Sequence, residues 1–217
     1  MSTAILVLGE SGTGKTTSLR NLDPENTLLI QAVKKPLPFR AKGWKEITKD
    51  GGNIYISDKS QVIIRAMQKT SRKIIVIDDF QYTMAFDFLR RVNDVEVGNQ
   101  AFAKYNEIAK NAWDIFMAAS ALPDDVRVYV FSHTQTDDFG KVKIKTIGKL
   151  LDEKLVIEGL FSIVMRTEVI NGNYLFRTQN SGNDTVKTPL GLFKDEHVPN
   201  DLLVVDQAIT EYYELTN

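Results

Sequence analysis

An unbroken apolar run, Ala4-Ile5-Leu6-Val7-Leu8, leads directly into Gly9-Glu10-Ser11-Gly12-Thr13-Gly14-Lys15-Thr16. Thr17-Ser18-Leu19-Arg20-Asn21-Leu22 then has the character of a helix start, and a helix is expected from about Lys15 to Leu22, ended by Asp23-Pro24. The middle segment satisfies G-x-x-x-x-G-K-[ST] in full, and its setting of buried strand, glycine-rich turn and helix is the one that makes a phosphate cradle. Glycine permits backbone angles that turn successive N–H groups inward toward an anion. Lys15 adds a full positive charge for the β- and γ-phosphates. The Thr16 hydroxyl is a ligand for the Mg²⁺ that accompanies a nucleoside triphosphate. Residues 9–17, from Gly9 through Thr17, are therefore the expected nucleotide-binding segment.

A second motif lies downstream. Ile74-Ile75-Val76-Ile77 reads as a buried strand ending on Asp78-Asp79. Ligands of open α/β sheets bind outside the carboxyl ends of the strands, so Asp78 is expected beside Thr16 as a Mg²⁺ ligand, directly or through water. Asp79 becomes the candidate for polarising an attacking water, with Glu10 as an acidic alternative; a helix cap near Gln81 is the other reading of the acid pair. Val126–Phe131 is a further core strand running into Ser132-His133-Thr134-Gln135. His133 is expected near the γ-phosphate, as a sensor or as an ordinary loop residue.

The rest of the pattern completes an α/β domain. Thr27–Ile30 is a short strand, 34–43 is irregular, and Trp44–Thr48 and Ile54–Ile56 are minor edge strands. Ser60–Lys69 and Asn99–Ser120 have helical spacing, the latter through Phe102, Ile108, Ala109, Ala112, Ile115 and Phe116. Ile147–Glu158 reads as helical, Phe161–Ile170 and Tyr174–Thr178 as a hairpin around Asn171-Gly172-Asn173, and Leu202–Leu215 as a closing helix. This order predicts one domain over 1–217: a mainly parallel sheet flanked by helices (core about 1–135), an antiparallel β-hairpin extension within about 136–200, and a C-terminal helix from about 201.

Composition narrows the function classes. Hydrophobic residues make up 43% and charged residues 25%, with a net charge of −1, so no global field draws the chain to nucleic acid or membrane. The absence of cysteine excludes disulfides and thiolate chemistry, and only His133 and His197 are present for imidazole sites. No apolar run approaches the roughly 18 residues of a membrane span, and a first strand starting by Ala4 is expected to leave no signal peptide. One local basic feature stands out. Lys141, Lys143 and Lys145 alternate with Val142 and Ile144, with Lys149 shortly after. In an extended segment those three lysines share a face that can track a phosphate backbone, or else protect a solvated edge strand. Phe139 is the aromatic of this loop able to stack on a base, and Asp137-Asp138 blunts its charge.

On Gly9–Thr16, Ile74–Asp79 and Val128–Gln135 the chain resembles RecA-type P-loop ATPases. More closely it is similar to small phage-encoded ATP-binding proteins of the AAA/RecA-like class linked to recombination and single-strand annealing. Lys145–Lys149, Glu158–Phe161, Lys187–Phe193 and Val198–Leu202 fit the same likeness. The resemblance implies a RecA-like fold, ATP and Mg²⁺ as cofactors, DNA-stimulated ATPase action on single-stranded DNA, and a DNA-contacting loop after His133. It further implies a homo-oligomer around the DNA, a single-strand-binding protein as a further candidate partner, and a cytoplasmic location, the host's if phage-encoded. Two departures matter. RecA-type enzymes carry a catalytic Glu after the second strand, where Ile30-Gln31-Ala32-Val33 has no acid, so Asp79 takes that role or hydrolysis is slow. No N-terminal arm of the kind used for polymerisation is expected ahead of the first strand, which leaves ring or DNA-induced oligomer open. Lys187 or Arg166 is the candidate cation reaching a neighbour's phosphate, against a plain surface charge. The competing readings are a nucleoside or nucleotide kinase, whose arginine lid only Arg90-Arg91 could begin to supply, and a non-hydrolysing ATP-gated interaction module.

Overall fold

The structure is a computed structural model and describes residues 1–93, 100–148 and 155–215, with the backbone alone for 100–102. Among the described residues there are ten strands: β1 (Thr3–Leu8), β2 (Thr27–Gln31), β3 (Ile54–Ile56), β4 (Ile74–Asp78), β5 (Arg127–Ser132), β6 (Thr134–Thr136), β7 (Val142–Ile144), β8 (Ile163–Ile170), β9 (Asn173–Arg177) and β10 (His197–Pro199). The helices are α1 (Ser60–Lys69), α2 (Gln81–Arg90), α3 (Gln100–Ser120) and α4 (Leu202–Tyr212).

Eight strands form one sheet in the order β10-β9-β8-β1-β5-β4-β2-β3, and β6 and β7 pair separately. From β8 to β3 every pairing is parallel, and β9 and β10 are added antiparallel at the other edge. This is the expected α/β P-loop NTPase-type architecture. The antiparallel extension is carried on β8, which itself pairs in parallel with β1.

The central strands are apolar without interruption because both faces of the sheet are covered. Leu6, Leu8, Leu28, Ile30, Ile75, Ile77, Val128 and Val130 pack on one face with α1, α2 and α3. Ile5, Val7, Leu29, Val76, Tyr129 and Phe131 pack on the other with α4. The alternation along each strand is the period of two that a pleated strand imposes. Across this second layer Arg127 is almost wholly buried, and its Nε and Nη2 donate to Asp206 Oδ1 and Oδ2 at 3.0 and 2.8 Å. Tyr129 OH donates to the same carboxylate at 2.7 Å. This triad locks α4 to β5.

Several local expectations change. The helix expected from about Lys15 to Leu22 is a 3₁₀ turn over Thr16–Asn21, and the chain becomes extended at Leu22 before Asp23-Pro24. Trp44–Thr48 forms only isolated bridges, Glu46 to Ile54 and Thr48 to Gly51. The polar loop after His133 is instead the β6–β7 hairpin. Gly140 takes φ 82° in its turn, and Asp137 Oδ1 accepts from Phe139 N and Lys141 N at 3.0 and 2.9 Å. Of the helix expected over 147–158, residues 149–154 lie outside the described residues; Gly148 has φ 89°, and Ile157–Leu160 is a 3₁₀ turn. Phe102, expected on the apolar face of α3, has no described side chain. Among the described residues no helix is long and apolar enough to cross a membrane.

Candidate nucleotide site

The glycine-rich loop leaves β1 at the carboxyl edge of the sheet. Gly9 N donates to Ser132 O at 3.2 Å, which ties the loop to the end of β5. Gly12 and Gly14 take φ 82° and 95°, the left-handed region that turns an N–H inward at little cost only for glycine. At Gly9 the constraint is space: an added Cβ would lie 1.9 Å from Thr167 Oγ1 on β8. Thr13 Oγ1 donates to Glu10 O at 2.7 Å and stands 2.5 Å from Thr167 Oγ1, closing the loop on itself and on β8.

Lys15 is buried, and its ammonium donates to Gly9 O and Glu10 O, both at 2.8 Å. Burial pulls its pKa down to about 8, against the upward pull of Asp79 and Asp78. Thr16 Oγ1 donates to Asp78 Oδ2 at 2.9 Å. The two motifs expected to meet do meet, because parallel β4 and β1 both end at this edge with β5 between them.

Asp78 is fully enclosed, and its Oδ1 is buried with no hydrogen-bond partner. Burial, then the adjacent Asp79 carboxylate, push its pKa up to about 6. An orphaned carboxylate oxygen beside a threonine hydroxyl is an oxygen-only donor pair that fits Mg²⁺, which takes one or two protein ligands and completes its shell with phosphates and water. Among the described residues no cluster of three or more acidic or histidine side chains offers a separate metal cage.

Asp79 is held differently. Its backbone is left-handed at φ 59°, and the next residue, Phe80, donates its N–H to Phe131 O at 2.8 Å. One carboxylate oxygen pairs with Lys35, and the other lies 3.5 Å from His133 Nε2. Burial works to raise its pKa, but the bonds from His133 and Lys35 outweigh it and hold the carboxyl below its usual range. His133 is oriented by Gln81 at the start of α2, whose Oε1 accepts from His133 N at 3.2 Å. Gln81 Nε2 is buried without a partner.

Lys15, Lys35, Asp79 and His133 line a cleft of about 570 Å³ with Ser11, Gly12, Gly14, Thr16, Thr17, Arg20, Pro38, Tyr174, Pro199 and Asn200, a volume suited to a nucleotide. Lys35 and Tyr174 carry no signal in the sequence motifs, and Asn200 is marked there only as part of Val198–Leu202. The signal for Lys35 is topological: β2 lies beside β4 with Gln31 opposite Asp78, so the loop leaving β2 must arrive at the acid pair. Asn200 and Tyr174 abut Gly14, where an added Cβ would meet Asn200 Oδ1 at 2.9 Å and the Tyr174 ring at 3.0 Å.

The remaining expected residues lie around this cleft. Glu10 is exposed and, with Arg166, lines a neighbouring cavity between the loop and β8. Arg166 pairs with Glu168 of its own chain. Lys187 is exposed, and its backbone is bonded to Val164 in both directions. Arg90 and Arg91 lie at a different cavity, paired with Asp58 and with Asp87 and Glu107. On β7, Ile144 is buried and Lys143 half-buried, while Lys141 and Lys145, which flank the strand, are exposed. Lys145 N donates to His133 O at 2.8 Å. Lys149 lies outside the described residues.

No curated protein sequence matches the chain at a significant level. Among solved structures, the X-ray structure of the Legionella pneumophila ATPase DotB overlaps 99% of this chain and 52% of its own, at 10% identity and a TM-score of 0.38. The chain thus spans about half the length of that structure, and the likeness is too remote to carry function or partners. The family model described as AAA domain matches residues 1–190. With that match added to the glycine-rich loop, the Thr16–Asp78 contact and the parallel sheet that brings them together, the chain belongs to the AAA-domain family of ATP-binding P-loop proteins.

Proposed function

We propose that this protein is a Mg²⁺-dependent ATPase whose turnover serves single-stranded DNA. The observation that carries the enzymatic part is the contact of Thr16 with Asp78, whose second oxygen is buried and unpartnered. The loop amides and Lys15 would hold the phosphates, with the ammonium exchanging the Gly9 and Glu10 carbonyls for phosphate oxygens. Bound Mg²⁺ would neutralise charge on the β- and γ-phosphates from Thr16 and Asp78. Water attacks the γ-phosphorus, the bond to the β–γ bridging oxygen breaks, ADP departs with the electron pair, and the water's proton passes to the phosphate oxygens, which leave as inorganic phosphate. Asp79, held ionised, orients that water by accepting its hydrogen bond. A loose phosphoryl-transfer transition state asks more for positioning than for a strong base. His133 adjoins Asp79 and acts as the sensor of the γ-phosphate.

The DNA part is supported by the β6–β7 hairpin. It carries Lys141, Lys143 and Lys145 on and beside β7, its tip exposes Phe139 almost completely, and its backbone is bonded to His133. Subunits assembled on DNA, with Arg166 or Lys187 approaching a neighbour's nucleotide and a single-strand-binding protein as partner, belong to the same reading, as does a phage recombination or annealing role. A kinase gains no support, because Arg90 and Arg91 are engaged away from the cleft.

The test is ATP turnover with and without single-stranded DNA, for the wild type and for Lys15→Ala. Stimulated turnover abolished by Lys15→Ala supports the proposal. Turnover indifferent to DNA removes the DNA assignment, and turnover unchanged in Lys15→Ala removes the enzymatic one.

A further inference from the structure

Both oxygens of Asp79 are already engaged, one by Lys35 and one facing His133. Each oxygen keeps a second lone pair, but a partner that leaves gives the whole of one oxygen and its charge to a water. The two partners are not equally free to do so. His133 is fixed through its backbone, which donates to Gln81 and accepts from Lys145. Lys35 has a side chain that is 42% exposed, whereas Asp79 is only 5% exposed, so the pair joins a mobile arm to an anchored acid.

The backbone of Lys35 is also anchored. Ala32 N donates to Asp78 O at 3.2 Å, and buried Gln31 reaches forward to donate to Lys35 O at 3.2 Å. Pro36 is the next residue, and Pro38 itself lines the cleft. Proline fixes φ, so the loop presents the lysine from a constrained base and leaves the four-carbon stem to swing.

We propose that Lys35 is a ligand of the γ-phosphate, parked on Asp79 until the triphosphate arrives, so that binding recruits a second cation and frees the water-orienting carboxylate in one exchange. The assignment rests on the ATPase reading above. Lys15 and Lys35 line the same cleft, and their mutual repulsion falls when an anion comes between them. A terminal phosphate spreads about two negative charges over its oxygens where the Asp79 carboxylate carries one, so the exchange runs toward the nucleotide. ADP lacks the group that would draw Lys35 across. The cation therefore comes from the same chain, from the loop after β2 where RecA-type enzymes place an acid.

The experiment measures affinities of the full-length chain for Mg²⁺-ADP and a Mg²⁺-bound non-hydrolysable ATP analogue by calorimetry, with folding checked by circular dichroism. Lys35→Met is expected to weaken the analogue by about tenfold or more and ADP by less than about twofold, the size of one lost charge-assisted contact. Lys35→Arg should retain most of the preference. Equal losses for both ligands, or none, overturn the assignment. Asp79→Asn gives a second reading that does not alter Lys35. With its anchor neutralised, the analogue should bind at least as tightly as to wild type while turnover falls, and weakened analogue binding overturns the proposal. If the wild type binds neither nucleotide, the ATPase reading fails and takes this one with it. If the wild type prefers the analogue and Lys35→Met keeps the full preference, the Lys35 assignment alone fails.

Discussion

Replacing Gly9 by alanine tests whether β8 sets the position of the nucleotide loop. The added Cβ would lie 1.9 Å from Thr167 Oγ1, 2.8 Å from Thr13 Oγ1 and 3.2 Å from Thr167 Cβ. Ordinary contact needs about 3.5 Å, so roughly 1.5 Å must be found between the loop and β8. Rotating the Thr167 hydroxyl away gives up its 2.5 Å contact with Thr13 and its 3.3 Å bond to Leu8 O. Moving the strand instead strains its parallel register with β1. Overpacking of this kind costs about 1–3 kcal/mol, or roughly 3–10 °C in Tm for a chain of this size. Displacing the loop by even part of that distance should weaken Mg²⁺-ATP by about tenfold, the size of roughly one lost hydrogen bond to a charged group. Thr167→Ala removes the clashing oxygen at 1.9 Å and leaves the 2.8 Å approach to Thr13 Oγ1 and the 3.2 Å contact with the Cβ at position 167. In that background the cost of Gly9→Ala should fall by about 1 kcal/mol or more, a coupling that non-additive neighbours show. Urea denaturation of the four proteins, with ATP calorimetry alongside, reads both quantities. An equal cost of Gly9→Ala in the two backgrounds would refute the claim that Thr167 dictates the glycine.

Asp206→Ala should destabilise the chain by about 3–5 kcal/mol, because Arg127 is left charged and buried, while the double replacement of Arg127 by Met and Asp206 by Leu should recover most of that loss; denaturant midpoints decide it. Asp78→Asn should abolish the thermal shift given by Mg²⁺-ATP yet leave the nucleotide-free protein at least as stable at pH 7, since the wild-type carboxylate is ionised against its raised pKa of about 6; a marked loss of stability without nucleotide would count against it. Glu168 is opposed by burial, but Arg177, His197 and Arg166 together hold its carboxyl below the usual 4.5. Its contribution is therefore full above about pH 4.5 and lost as pH falls through the lower folded value, and Glu168→Gln should flatten the stability profile in that acid window.

The sequence reached the site wherever adjacency along the chain carries the chemistry. Gly9–Thr16 needs only its own preceding strand, and Asp78 only the end of an apolar run. Lys35 was invisible for the opposite reason. The loop after β2 has no periodicity, and its nearness to Asp79 comes from β2 lying next to β4 in space. The insertion of β8 beside β1 is likewise a pairing of distant segments, and it places Thr167 against Gly9 with no local signal in either stretch. The β6–β7 hairpin read as a loop because each strand is three residues long and β6 is Thr-Gln-Thr, half-exposed and without an apolar alternation. The edge around Trp44 had strand-like residues but found only two isolated bridges.

The left-handed backbone at Asp79 decides which substitutions can be interpreted there. Alanine at φ 59° adds steric strain of roughly 1 kcal/mol, so a routine alanine scan would mix lost chemistry with a distorted turn between β4 and α2. Asparagine tolerates that conformation and glycine adopts it freely. A saturation library at this position should therefore split twice, by expression level according to backbone tolerance and by turnover according to charge, and only aspartate stands in the favoured class on both axes.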